Sequence, residues 1–195
     1  MTRQSGESQR RRVKGIRDLL GYIGDDPDRE GLEQTPERML RTYRDITQGY
    51  RITPADITEG GVFAGDYDDM VVVKDIDYYS LCEHDLLPFF GRVHVGYVAA
   101  GKVLGLSRIP RVVDMFSQRL QVQERMTRQI ADFLMETLSP SGVGVVVEGA
   151  HLCMMMRGIK RENARVVTSA MLGGFRDDPR TRAEFLRVVG TGGDI

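Results

Sequence analysis

Helical and strand periodicity come in blocks along this chain rather than alternating, and that order already removes the doubly wound α/β architectures. Val13, Ile16, Leu19, Leu20 and Ile23 recur at helical spacing, and Gly24-Asp25-Asp26-Pro27 ends that pattern. Thr35-Pro36-Glu37 reads as a helix start, with Thr35 as cap and proline at the first helical position. Met39, Leu40, Tyr43 and Ile46 form the apolar face of this second helix, and Gly49 closes it. Residues 70–76, 89–99 and 103–106 are β-type runs, with Ala100-Gly101 placed like a hairpin turn between the last two. Helical spacing returns over 110–138 and stops at Ser139-Pro140-Ser141-Gly142. Residues 143–148, 152–157 and 166–170 read as strands, and Asp178-Pro179 opens a last helix carrying Phe185 and Leu186. The expectation is an α+β fold with a mainly antiparallel sheet.

The 195 residues suffice for one domain with a real core, so 1–195 is expected to be a single domain whose ends, about 1–11 and 190–195, are disordered. A net charge of -1 gives no global field toward nucleic acid or membrane, so an anionic ligand needs a local basic cluster. No apolar run approaches the roughly 18 residues of a membrane span. The polar, basic start, including Arg10-Arg11-Arg12, reads as a solvated helix start rather than a secretory signal. A cytoplasmic, reducing location is therefore expected, where paired Cys and His point to metal or catalysis rather than to disulfides.

Both cysteines lie two residues from a histidine, in Cys82-Glu83-His84 and His151-Leu152-Cys153. In extended strands, residues i and i+2 share a face, so each segment would offer a sulfur beside an imidazole. A lone free cysteine is most often a buried, inert one. Two such pairs favour a site: two thiolates and one further ligand suit zinc with a fourth position open, while His84 and His151 together would complete a closed structural site. Arg108, Arg111, Arg157, Arg161 and Arg165 lie in the same stretches. Singly each reads as a surface ion-pair partner; gathered, they suit a polyphosphate. Gln123-Glu124 sits on the long helix, where a buried carboxylate could take two parallel hydrogen bonds from a purine edge.

Several segments, in order, resemble the signatures of GTP cyclohydrolase I. They are Ser80-Leu81-Cys82-Glu83-His84, Gly105-Leu106-Ser107-Arg108, Leu120-Gln121-Val122-Gln123-Glu124-Arg125 and His151-Leu152-Cys153-Met154-Met155-Met156-Arg157-Gly158. Thr35-Pro36-Glu37-Arg38 and Val167-Thr168-Ser169-Ala170-Met171-Leu172-Gly173 fit as well, so the likeness runs from about Arg12 to Val189. The resemblance implies a T-fold (tunnelling fold), with N-terminal helices, an antiparallel sheet and long helices on one face. It implies a homodecamer with active sites between subunits. It implies that GTP and water give 7,8-dihydroneopterin triphosphate and formate, the entry to tetrahydrofolate and pterin synthesis.

By the same likeness Cys82 and Cys153 bind zinc, and His84 and His151 transfer protons. Glu124 holds the guanine with Gln123 beside it. Ser107, Arg108, Arg111 and Arg157, with Arg38 and Arg41, face the triphosphate. The residue types suit the chemistry: zinc lowers the pKa of bound water to about 7 for attack at carbon 8, and a histidine protonates nitrogen 7.

Two positions depart from the family pattern. Arg108 stands where the family usually has lysine, which keeps the charge. Asp85 stands where the family has the histidine that is its third zinc ligand. A carboxylate can ligate zinc, at the cost of one more negative charge and weaker Lewis acidity, with preference shifting toward iron or manganese. His94, nine residues further along the next strand, is no obvious substitute. Two alternatives stand beside a working Cys-Cys-Asp enzyme. One is a metal-deficient, weakened GTP-binding form; the other is a metal-free T-fold enzyme with a cysteine nucleophile.

Overall fold

The computed structural model describes residues 3–66, 68–157 and 160–190. The first two residues and the tail beyond Gly190, both expected to be disordered, lie outside them, as does Gly158 of the fourth signature segment. The chain divides into two compact units, Met1–Thr47 and Gln48–Ile195.

The first unit holds α1 (Arg3–Ile23) and α2 (Thr35–Ile46). The helix begins well before Val13, where disorder was expected over 1–11. Gln, Glu and Arg there are good helix formers, and Glu7–Arg11 and Lys14–Asp18 pair at i,i+4. Gly24, at φ 103°, ends α1 by donating its N–H to Gly21 at 3.0 Å. Thr35 lies inside α2 and does not cap it. The preceding turn is already helical: Gln34 occupies the cap position at φ -96°, ψ 0°, and the Thr35 N–H donates to Leu32 O.

The second unit opens with a 3₁₀ turn (Gln48–Arg51), α3 (Pro54–Thr58) and β1 (Val62–Ala64). Then come β2 (Met70–Cys82), β3 (Pro88–Val98), β4 (Lys102–Leu104), α4 (Arg108–Ser117), β5 (Leu120–Gln121) and α5 (Gln123–Leu138). It closes with β6 (Gly142–His151), α6 (Leu152–Met155), β7 (Val166–Gly173), α7 (Gly174–Asp177) and α8 (Pro179–Val189). Five strands form one sheet in the order β5-β2-β3-β6-β7, antiparallel except where β5 runs parallel to β2. The fold is α+β, as expected. Ala100-Gly101 does not close a β3–β4 hairpin, because β4 leaves the main sheet and pairs with β1.

One sheet face carries Tyr78, Val93, Val95, Tyr97, Val143, Val145 and Val147 against Ile109 and Val112 of α4 and Met126, Ile130 and Leu134 of α5, all buried. Burying such side chains stabilises by roughly 1.5–3 kcal/mol each. A smaller cluster forms on the other face, where Phe175 and Phe185 pack edge-to-face at 5.3 Å beside Val146. Gly96 and Gly144 are cross-strand partners beneath that pair; a Cβ on either would stand 2.5–2.7 Å from a ring carbon. The helices α4 and α5 therefore cover one face of the sheet, while α7 and α8 cover only part of the other, where Tyr79, Phe90 and Val167 stay exposed.

The helical run expected over 110–138 is two helices. Between them, Leu120 and Gln121 pair with Leu81 and Cys82, and the Gln121 side chain donates to Phe116 O and Gln129 Oε1. This break brings the start of α5 to the end of β2.

His94 is committed to structure. It is buried on β3, and its Nδ1 accepts the Asp75 N–H at 3.2 Å across a bulge in β2. Burial pushes its pKa below the ordinary 6.5, against the upward pull of Asp75 and Glu148. A histidine depressed in the folded chain binds fewer protons than in the unfolded chain, so stability holds above that value and falls as pH drops below it. Urea midpoints measured from about pH 7.5 down to 5 should decline on the acid side, with a shallower slope in His94→Gln.

Candidate active site

Three chain segments converge at one end of the sheet. Cys82 is the last residue of β2, fixed beside Gln121 of β5. A tight turn follows, with Cys82 N–H donating to Leu87 O and Leu86 N–H to Cys82 O, both at 2.8 Å. Phe89, just inside β3, is the register partner of His151, the last residue of β6. That pairing delivers His151 and the following Cys153 to the Cys82 turn.

The segment after His151 is a helical turn, α6, where a strand was expected. Strand geometry is therefore not what joins sulfur and imidazole. Cys82 ends a strand and His84 lies in the turn, with Nδ1 3.7 Å from Cys82 Sγ. Sγ of Cys82, Sγ of Cys153 and one carboxylate oxygen of Asp85 all lie within 4.8 Å of one another. Asp85 Oδ2 is ion-paired to the Arg157 guanidinium. The Cys153 thiol is pushed up by burial first, then by Cys82 and Asp85, while Arg157 pulls it down.

His151 lies beside this group, stacked on Phe89 with ring centroids 4.6 Å apart and planes 10° apart. Its Nε2 meets Gln123 Oε1 at 2.8 Å. The Gln123 amide nitrogen donates to Val147 O and Val166 O, both at 3.0 Å, and to Thr168 Oγ1 at 3.1 Å. Those carbonyls fix which end of the carboxamide is nitrogen, so Oε1 accepts, His151 Nε2 carries the hydrogen and Nδ1 is the open nitrogen. Burial pushes the His151 pKa down, partly offset by the charge of Glu124.

Gln123, expected among the substrate contacts, is buried, and its carboxamide is fully engaged inside the chain. The signal was present: 123, 126, 130 and 134 share one helical face, and the other three positions are apolar. Its neighbour Glu124 is exposed in the first turn of α5. Glu83, which belongs to the Cys82–Asp85 cluster and carries no role in the sequence reading, is ion-paired to Arg125 and anchors the turn to α5.

Among the described residues of the second unit, Arg108 and Arg111 make their contacts away from the cysteines. Arg108 donates to the carbonyls of Asp56 and Glu59 at 3.1 and 3.3 Å, holding α3. Arg111 is exposed, and its charge acts on Asp56 and Asp114. Ser107 is exposed at the start of α4. Arg38 and Arg41 are exposed on α2 in the first unit.

The sequence profile of GTP cyclohydrolase I matches residues 13–190. The chain belongs to the GTP cyclohydrolase I family. It is 54% identical over 173 residues to GTP cyclohydrolase 1 of Deinococcus radiodurans, covering 89% of this chain and 80% of that protein. To the Leptospira biflexa protein of the same name it is 51% identical, covering 91% of this chain and 97% of the relative. The Chlorobaculum tepidum protein is 54% identical over 88% of this chain. The chain is thus an enzyme with GTP cyclohydrolase activity.

The donor set fits zinc. Two sulfurs and one carboxylate oxygen make three protein ligands, the number a catalytic zinc uses when one position stays open.

Proposed function

We propose that this enzyme hydrolyses GTP to 7,8-dihydroneopterin triphosphate and formate in a zinc-dependent reaction. We further propose that it works in the cytoplasm as the entry to tetrahydrofolate and pterin synthesis. The observation that carries the reading is the convergence of Cys82, Asp85 and Cys153 within 4.8 Å, flanked by His84 and His151. These three residues would hold the zinc, which supplies Lewis acidity for the attack of water on carbon 8 of guanine.

The chain's own residues handle protons and orientation. His151, kept neutral near pH 7 by burial, presents a bare Nδ1 that can take a proton while Gln123 holds Nε2–H. His84, exposed beside Cys82, is the second proton carrier. Glu124 receives the guanine edge. Ser107, Arg108, Arg111, Arg157, Arg38 and Arg41 are assigned to the triphosphate.

Because Arg108 is engaged with the α3 carbonyls and Arg111 acts on Asp56 and Asp114, the complete site is best formed between subunits of a homodecamer. The exposed, stacked pair Tyr79 and Phe90, with Leu106 and Val167, supports burial of further surface in such an assembly.

A cysteine-nucleophile reading is disfavoured. Cys82 is buried and Cys153 has a raised thiol pKa, the reverse of an activated nucleophile. The metal-deficient reading has one observation for it, since Arg157 already holds one oxygen of Asp85.

Purified protein is expected to carry roughly one zinc per chain and to release formate and 7,8-dihydroneopterin triphosphate from GTP, the latter read as fluorescent neopterin after oxidation with iodine, with both products lost on chelation. No product with zinc, iron or manganese would overturn the assignment.

A further inference from the structure

Two thiolates and a carboxylate carry three negative charges, so a divalent ion leaves the Cys82-Cys153-Asp85 site with one in surplus. A partly buried surplus charge is costly unless it is paired. Asp85 has two oxygens. Arg157 takes Oδ2, and only one oxygen is needed beside the two sulfurs.

The local backbone makes this arrangement available. Cys153 and Arg157 are four residues apart across α6 and the turn that continues it, with Met156 helical at φ -95°, ψ -12°. Residues i and i+4 of a helical turn are neighbours. In an extended strand they would be about 13 Å apart. The helical turn is what brings Arg157 back toward Cys153 and within reach of Asp85.

We propose that Arg157 is a positioning residue of the metal centre: it holds the Asp85 carboxylate beside the two sulfurs by Oδ2, leaves a second oxygen available as a ligand, and offsets part of the charge that aspartate adds. It is the partner that makes aspartate workable in a ligand position where histidine would need none. This rests on the metal-centre part of the proposed function.

The test is a double-mutant cycle on metal affinity, using the full chain, Arg157→Gln, Asp85→His and the double variant. Cobalt(II) is titrated by its thiolate charge-transfer absorption, then displaced by zinc. Circular dichroism confirms that each variant folds. Arg157→Gln is expected to weaken metal binding about 10–100-fold with Asp85 present. In the Asp85→His background the same change should alter affinity by no more than about twofold, as for uncoupled sites. Arg157→Lys, which keeps the charge and loses the fork, should fall between.

Unchanged or tighter binding in Arg157→Gln would mean that the arginine is a bystander or a competitor, and the proposal fails. Equal losses in both backgrounds, or no cobalt–thiolate band in the parent chain, also overturn it. Formate release from GTP is scored separately. The expected affinity cycle without turnover removes the reaction and leaves Arg157's role standing; turnover without the cycle does the reverse.

Discussion

Asp85→His is expected to bind zinc more tightly than the parent chain and to raise the rate of formate release from GTP about tenfold or more, a gain of ~1.4 kcal/mol per decade. The effect is electrostatic. Asp85 adds a negative charge to a pair of thiolates, which the exposed Arg157 offsets only in part, and so weakens the ion as a Lewis acid, whereas a neutral imidazole does not. Imidazole also reaches further from the backbone, and Asp85 sits in a turn held at both ends by hydrogen bonds from Cys82 N–H and Leu86 N–H, which limits how far the backbone can follow a short side chain. The substitution frees Arg157, which is largely exposed and loses little by re-entering solvent. Zinc content by elemental analysis and formate release at saturating zinc and GTP, measured side by side, decide the matter. Equal or lower turnover in the variant would show that aspartate costs this enzyme nothing.

What the sequence revealed, and what it hid, divides along physical lines. Strongly periodic apolar segments were readable because their burial is set locally: β3, β6 and the α5 face stand where their patterns put them. The α6 turn was not. Leu152-Cys153-Met154-Met155-Met156 is an apolar run too short for periodicity to separate helix from strand. Its helical form follows from where β6 ends, which is a tertiary fact. The split between α4 and α5 was hidden likewise, since Gln118 to Gln121 break the helix only because β2 offers Leu120 and Gln121 a strand partner. The Cys, His and Asp residues were legible as chemistry from type and spacing. That Asp85 is already paired with Arg157, and that Arg108 holds α3, depended on side-chain placement that no spacing encodes.

Gln123→Ala should damage both stability and catalysis, and the two can be separated. The change removes the donor shared by Val147 O, Val166 O and Thr168 Oγ1, one buried and two part-buried contacts, at about 1–3 kcal/mol for a charge-free buried group that loses its partner. Thr168 keeps Thr127 as a partner at 2.6 Å, so the two carbonyls dominate. A net loss of about 2–4 kcal/mol, or roughly 5–15 °C in Tm, is expected from thermal melts. Turnover should fall by about 10²-fold or more, the scale of a misplaced general acid–base group, because His151 loses the acceptor that fixes its tautomer. A purely structural role predicts the stability loss alone, so Gln123→Glu supplies the second readout. A carboxylate there still accepts from His151 Nε2–H, loses the donor to Val147 O and Val166 O as the alanine does, and adds a negative charge, which favours imidazolium and raises the histidine's pKa. In the parent, burial holds that pKa below the ordinary 6.5, so His151 stays neutral and able to accept a proton until pH falls beneath that value. In Gln123→Glu the acid limb of the kcat/KM profile should therefore move to higher pH. An unshifted limb, with kcat/KM lowered by the same factor at every pH, would mean that Gln123 supports the sheet and not the imidazole.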